Sequence, residues 1–244
     1  MPASLNITLS TACSEPVFSG GGHVRTLTVL RSARARAMRL AVDPRDGRVR
    51  LTLPRRAALA PALAWAESKR AWIEAVLARV PAAQALAPGR TVPFEDAPLR
   101  IDWQPTHQRR VRHVGDRLEV GGPPDLVAAR VIRWLKAEAL ARLERETRAV
   151  AARAGVTVGR VRVGDARTRW GSCSASGDIA YSWRLILAPA AVREATVVHE
   201  VAHRLHMHHG PDFHAAVARL LGRDGKAERA WLRAHGGALH AVGA

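Results

Sequence analysis

The chain is poor in cysteine, and its two cysteines, Cys13 and Cys173, are too few to form a disulfide framework. A reducing, cytoplasmic location is therefore expected. No apolar run approaches the ~20 residues that a membrane-spanning helix requires. The segment before Arg25 contains no lysine or arginine, so it lacks the charged start of a secretory signal. We expect a protein that does not associate with membranes.

Lysine is also scarce, because 35 of the 38 basic residues are arginine. The net charge of +17 is typical of a surface that binds nucleic acid or another polyanion. Alanine is abundant as well, however, and the arginines are spread over almost the whole chain. A GC-rich genome produces such a composition without selection for a ligand. We favour this compositional interpretation, with a nucleic-acid-binding basic surface as the alternative.

Hydrophobic patterning predicts a small first domain. Residues 1–24 show no periodic pattern and are predicted to form a flexible N-terminal extension. Residues 25–122 are predicted to form a β-rich domain with one helix, because short alternating stretches such as 49–53 flank an apolar stripe at helical spacing that ends at Pro81.

A second domain is predicted over residues 123–238, with its boundary near Pro123. It begins with a long amphipathic helix, at about residues 126–154, that is closed by Gly155 in the helix-ending position. Strands and further helices follow. The fold class predicted for the whole chain is therefore α+β.

The segment from His199 to His203 reads H-E-V-A-H, an H-E-x-x-H motif. On a helix, residues four apart project from the same face, so His199 and His203 can both offer a ring nitrogen to one zinc ion. A catalytic zinc needs a third protein ligand and an open position for water. Glu200 lies beside His199, where its carboxylate can act as general base towards that water.

Spacing leaves two main candidates for the third ligand. His206 shares the helix face but would lie about 10 Å along the axis from His199, which is too far for one tetrahedral site. The ligand must come from chain that has turned back, and the turn begins at Gly210. We therefore rank His209 first and Glu228, on the last helix, second. Other candidates near the turn are His208, Asp212 and His214.

Two further interpretations of the histidine-rich helix remain open. It can be a surface helix that binds metal adventitiously. A structural zinc is the other reading, although such sites usually close with cysteine and have no adjacent general base. We favour metal-assisted hydrolysis over both.

Three motifs in order closely resemble the YgjP-like family of metallopeptidase-type hydrolases, which carries R-W-G-S-C-S, then N-W-R-L, then H-E-L-x-H with a third histidine and a phenylalanine. The first is matched in full by residues 169–174 and the second by Trp183, Arg184 and Leu185. The third is matched by His199, Glu200, His203, His209 and Phe213. The likeness covers roughly residues 25–234.

The resemblance implies a zincin-like fold, in which the H-E-x-x-H helix packs on a small sheet. It also implies one Zn²⁺ held by His199, His203 and His209, with Glu200 as general base. The strand that carries Trp170, Gly171 and Ser172 would border the cleft, where an extended substrate can pair with its edge. Arg184 would either face an anionic group of the substrate or brace the sheet.

The chain departs from the family pattern at three positions. Ser182 and His208 stand where the family has asparagine, and His214 stands where it often has tryptophan. The ligands are untouched, but the extra imidazoles leave the outer wall of the cleft undefined.

We therefore predict a zinc-dependent metallopeptidase-type hydrolase that acts on a protein or peptide. A second hypothesis is metal-dependent pyrophosphohydrolysis of nucleoside triphosphates such as UTP, for which the arginines offer phosphate contacts. A third is a nucleic-acid-associated protease or binding module, in which the basic region 31–50 holds a polyanion.

Overall fold

The computed structural model describes residues 17–20, 23–43, 47–166 and 168–243. Within these ranges the chain is mixed α+β and has eleven strands in three sheets and six α-helices. It divides into two compact units, Met1–Ala83 and Gln84–Ala244. None of the described helices combines the length and the apolar character that a membrane span requires.

The first unit is a four-stranded sheet with two helices. Its strands have the order β1-β2-β4-β3, with β2 and β4 parallel and the other pairs antiparallel. The elements are β1 (Val17–Gly20), β2 (His23–Ser32), β3 (Arg39–Val42), β4 (Val49–Pro54), α1 (Leu59–Ser68) and α2 (Arg70–Leu77).

Alternation in β4 explains the core of this unit. Val49, Leu51 and Leu53 are fully buried, while Arg50 between them is exposed. The buried face packs with Ala62 and Leu63 of α1, Ile73 of α2 and other residues of one cluster. Burial that alternates along the strand, with the buried side chains facing apolar residues of the helices, is typical of a sheet that helices cover on one side.

The predicted flexible extension over residues 1–24 includes a short strand. Val17–Gly20 pairs antiparallel with the start of β2, so that Val17 lies opposite Thr26 and Gly20 opposite His23. A four-residue segment does not show by its own pattern that it forms a strand, because the strand depends on its pairing with β2. Residues 1–16 and 21–22 lie outside the described residues.

The second unit contains two sheets. The first has the order β5-β6-β8-β7 and the second the order β10-β11-β9. Their strands are β5 (Thr91–Phe94), β6 (Ala97–Trp103), β7 (Arg112–Val114), β8 (Arg117–Val120), β9 (Val161–Gly164), β10 (Gly171–Cys173) and β11 (Ile179–Ser182). The helices are α3 (Val127–Ala154), α4 (Ala190–Ala202), α5 (Pro211–Leu221) and α6 (Lys226–Ala241), with 3₁₀ helices at Pro124–Leu126 and Trp183–Leu187.

The long helix α3 organises this unit and confirms the predicted helix. Its buried stripe includes Val131, Leu135 and Leu143, and it ends at Gly155, whose φ of 67° is left-handed. Glycine adopts that conformation at no steric cost. The stripe packs on α4, β9 and the 3₁₀ helix Trp183–Leu187.

The boundary between the two units lies at Ala83, about forty residues before the predicted boundary near Pro123. The predicted domains 25–122 and 123–238 therefore do not match the compact units. The reason is a shared core: Val92, Ile101 and Leu118 of the first sheet are buried in the same cluster as Val131 and Leu135 of α3. Patterning shows that a strand has an apolar face, but not which helix covers it.

A buried arginine ties α4 to its surroundings. Arg193 is 2% exposed, and its guanidinium donates three hydrogen bonds of 2.9–3.1 Å to the carboxylate of Glu146 on α3. It also forms an ion pair of 3.2 Å with Glu95, which follows β5. Since a guanidinium is always charged, its burial requires such partners.

We predict that Arg193→Met lowers the free energy of unfolding by about 2–4 kcal/mol, because Glu146 loses its ion-pair partner on α4 and Glu95 keeps only Arg142 among the described residues. Urea denaturation followed by circular dichroism measures this loss. Arg145→Met is the matched control, because Arg145 is an exposed residue of the same helix as Glu146. Equal stability of the two variants would contradict the structural role of Arg193.

Candidate metal centre

Helix α4 carries the H-E-x-x-H motif near its C-terminal end. Pro189 directly precedes the helix, and Val197, Val198 and Val201 are buried in the core. The apolar stripe fixes the rotation of the helix, and this rotation decides where His199 and Glu200 lie.

The helix ends earlier than its sequence pattern predicts. It closes at Ala202, and the N–H groups of Arg204 and Leu205 bond back three residues to the carbonyls of Val201 and Ala202. The argument that excluded His206 assumed a continuous helix, so its premise is wrong. Its outcome still agrees with the structure, because His206 does not join the histidine cluster described next.

His199, His203 and His209 converge on one point. A potential ligand atom from each lies within 4.8 Å of those of the other two, and no other described residues form such a group of three or more. The Nε2 atoms of His199 and His209 are 3.1 Å apart. The ring of Phe213 lies under all three imidazoles, with centroid distances of 4.7–4.9 Å.

This donor set fits a metal such as zinc. Three imidazole nitrogens leave room for further ligands, as catalytic sites require. Burial, and then the neighbouring histidines, lower the pKa of His199 to about 4, and burial also lowers that of His203. The neutral imidazole is the form that binds metal. The Nδ1 atom of His203 lies 3.3 Å from the carbonyl oxygen of His206, a contact that orients the ring.

Glu228, the alternative third ligand, does not join the histidines. It lies on α6, where its Oε1 accepts a hydrogen bond of 2.6 Å from Nε of Arg223. Among the described residues, the geometry thus brings His209 to the cluster and leaves Glu228 outside it.

Glu200 is a buried carboxylate beside the cluster, only 6% exposed. Burial raises its pKa to about 7, and the charge of Arg169 partly opposes this shift. Its side chain lies against the backbone of Gly171, where a Cβ atom would fall 2.4 Å from Oε1 and 2.6 Å from Cγ. Only glycine leaves space for the glutamate in this position.

The model of the YgjP-like metallopeptidase domain matches residues 36–235. This chain belongs to the YgjP-like family. Membership indicates a metal-dependent hydrolase and agrees with the cluster of three histidines. No curated protein and no solved structure matches the chain.

The YgjP-like motif R-W-G-S-C-S forms the wall beside Glu200. Gly171 begins β10, which among the described strands pairs with β11 alone and so lies at the edge of its sheet. Trp170 and Gly171 line a cavity together with His199 and Glu200. Ser172 lines a different cavity, together with Arg169 and its cross-strand partner Ala180.

Arg184, from the second YgjP-like motif, braces the end of α6. Its side chain is 7% exposed, pairs with Asp165, and donates from Nε to the carbonyl oxygen of Leu239 at 3.1 Å. A second bond, of 3.4 Å, reaches the carbonyl oxygen of Val242. Arg184 does not line the cavity beside Glu200. Of the two roles left open by the sequence, these contacts match the structural one.

The three departures from the YgjP-like pattern lie around the centre and outside the histidine cluster. Ser182 is buried, and its hydroxyl accepts a hydrogen bond of 3.4 Å from the N–H of Arg184. His208 is exposed. His214 is exposed too, and its ring meets Phe213 edge-on at 5.5 Å.

The sequence interpretation missed one charged residue of the cavity. Arg229 of α6 lines it with His199 and Glu200, and its charge contributes to the lowered pKa of His199. Arg229 directly follows Glu228, but nothing in the sequence shows which face of α6 turns towards α4.

We predict that Gly171→Ala lowers the free energy of unfolding by about 1–3 kcal/mol, because the new methyl group forces the buried Glu200 side chain to move. Gly164→Ala is the control, since a Cβ atom at that strand position meets nothing within 4 Å. Chemical denaturation of both variants tests the contact. A fully stable Gly171→Ala protein would show that Glu200 does not occupy this position.

Proposed function

We propose that this YgjP-like protein is a zinc-dependent metallopeptidase that hydrolyses peptide bonds with Glu200 as general base. One observation carries the proposal: a buried carboxylate with a raised pKa lies in the same cavity as His199, next to three converging imidazoles. A carboxylate that holds no metal but adjoins the metal position is what water activation requires.

In this proposal His199, His203 and His209 hold the metal through their ring nitrogens. When bound, the ion supplies a Lewis acid, which lowers the pKa of water and polarises a carbonyl group. Burial lowers the pKa of His199 and of His203, which favours their neutral form, and Phe213 packs against all three imidazole rings.

Glu200 transfers the protons of the reaction. Its carboxylate accepts a proton from the attacking water and later returns it to the leaving amine. Its burial beside the cluster places the carboxylate where it can perform both transfers. The backbone of Gly171 fixes the carboxylate from one side.

A peptide fits the surroundings better than a nucleoside triphosphate does. The cavity is lined largely by apolar side chains, and its charged groups besides the histidine are Glu200, Glu228 and Arg229. Two carboxylates repel a triphosphate, and one guanidinium is a poor match for three phosphoryl groups. The edge strand β10, in contrast, offers main-chain hydrogen bonds to an extended peptide.

Nucleic-acid association remains a separate proposal for the first unit. Arg39 and Arg50 are exposed, and the strand register places both on the side of the sheet opposite the buried Leu51. The two arginines on one face support the proposal that the first unit binds a polyanion there.

We expect the purified protein to bind one equivalent of zinc, and His209→Ala to lose most of it. Glu228→Gln should retain the metal, because Glu228 lies outside the cluster. Metal analysis after dialysis compares the three proteins. Loss of zinc in Glu228→Gln with retention in His209→Ala would reverse the assignment of the third ligand.

We expect Glu200→Gln to keep the zinc and to reduce hydrolysis of an unfolded protein by at least about 100-fold, since an amide cannot accept the proton. Assays on an unfolded protein and on UTP, side by side, measure both candidate activities. Cleavage of UTP without cleavage of protein would replace the peptidase by the pyrophosphohydrolase.

A further inference from the structure

The cavity that His199 and Glu200 line has a volume of about 240 Å³. A water molecule occupies about 30 Å³ of liquid, so the pocket has room for a long side chain. Its apolar walls come from α4, α5 and α6, and are formed by Val192, Ala195, Val217 and Leu232. Walls of this kind pack well against methylene groups.

In the part of the chain that the structure describes, one lining residue, Glu228, has a carboxylate oxygen without a hydrogen-bond partner. The side chain of Glu228 is 10% exposed, and its Oε1 is held by Arg223 at 2.6 Å. Its Oε2 is buried and has no hydrogen-bond partner among the described residues. A buried carboxylate oxygen without a donor is costly, so the site favours a ligand that supplies one.

The charged groups of the lining besides the histidine are two carboxylates and one guanidinium. Glu200 is the second carboxylate of the lining. Arg229 is half-buried, and its guanidinium donates to the carbonyl oxygen of Asp224 at 3.3 Å. An anionic guest would meet Arg229 only while lying against two carboxylates that solvent barely reaches.

We propose that this cavity is the specificity pocket of the peptidase and selects a lysine or arginine side chain next to the cleaved bond. The methylene stem packs on the four apolar residues, and the terminal nitrogen donates a hydrogen bond to Oε2 of Glu228. Glu228 is then a specificity-determining residue. The inference rests on the proposed peptidase function and adds its substrate class.

The test is the cleavage pattern of the zinc-loaded full-length protein on an unfolded protein, read by mass spectrometry, and on matched peptides with lysine or norleucine at the selected position. We expect wild type to prefer lysine by at least about 10-fold in kcat/KM, because norleucine cannot satisfy the buried acceptor. In Glu228→Gln this preference should fall to near unity while norleucine peptides are still cleaved.

Glu194→Gln is the matched control. Glu194 contacts the same arginine, at 3.3 Å from its Nη2, but does not line the pocket. It should therefore keep the preference for lysine. The ratio of two peptides in one sample does not depend on the folded fraction, so a partly unfolded variant still gives an answer.

Binding separates the failure of the pocket from the failure of the peptidase. Norleucine hydroxamate needs only the metal, whereas lysine hydroxamate also reports on Glu228, and calorimetry measures both without turnover. Three results would overturn the proposed specificity pocket and leave the peptidase standing. They are equal affinity for the two hydroxamates, cleavage without a preference for basic residues, and cleavage confined to the first peptide bond of the substrate. Absence of binding and of cleavage would overturn the peptidase together with the pocket.

Discussion

The candidate centre depends on the close approach of α4 to the edge strand β10. The side chain of Glu200 occupies the space that any Cβ atom at position 171 would need. This contact sets the distance between helix and strand and removes water from the carboxylate. The raised pKa of Glu200 follows from that burial. A helix that stood further from the strand would carry the same motif with an ordinary, solvated glutamate.

The chain must also turn back sharply after the motif, so that a third imidazole reaches the first two. The helix ends at Ala202, and α5 begins at Pro211. Phe213, in the first turn of α5, packs under all three imidazole rings. Because Phe213 lies just after the turn, its packing also holds His209 close to the other two histidines. The buried phenyl ring is an apolar surface that limits the motion of the three imidazoles.

Several arginines connect elements within the fold. Arg184 ties the end of α6 to Asp165, and Arg193 joins α4 to α3. Arg204 donates hydrogen bonds to the carbonyl oxygens of Thr157, which precedes β9, and of Ala175, which follows β10. A guanidinium reaches several acceptors at once, which suits it to such bracing. Part of the high positive charge therefore serves internal structure, and only the remainder is available to an external polyanion.

The sequence by itself determined the parts of the protein that depend on local pattern. Helix α3 with its closing Gly155, the H-E-x-x-H motif on a helix, and His209 as the best third histidine all follow from periodicity, turn residues and resemblance. The structure alone decided which surfaces meet. The boundary of the units lies at Ala83, Arg184 bonds to the end of α6, and Glu228 and Arg229 line the cavity. These features arise from contacts between residues far apart in the chain, and helical or strand spacing carries no information about the partner across such a contact.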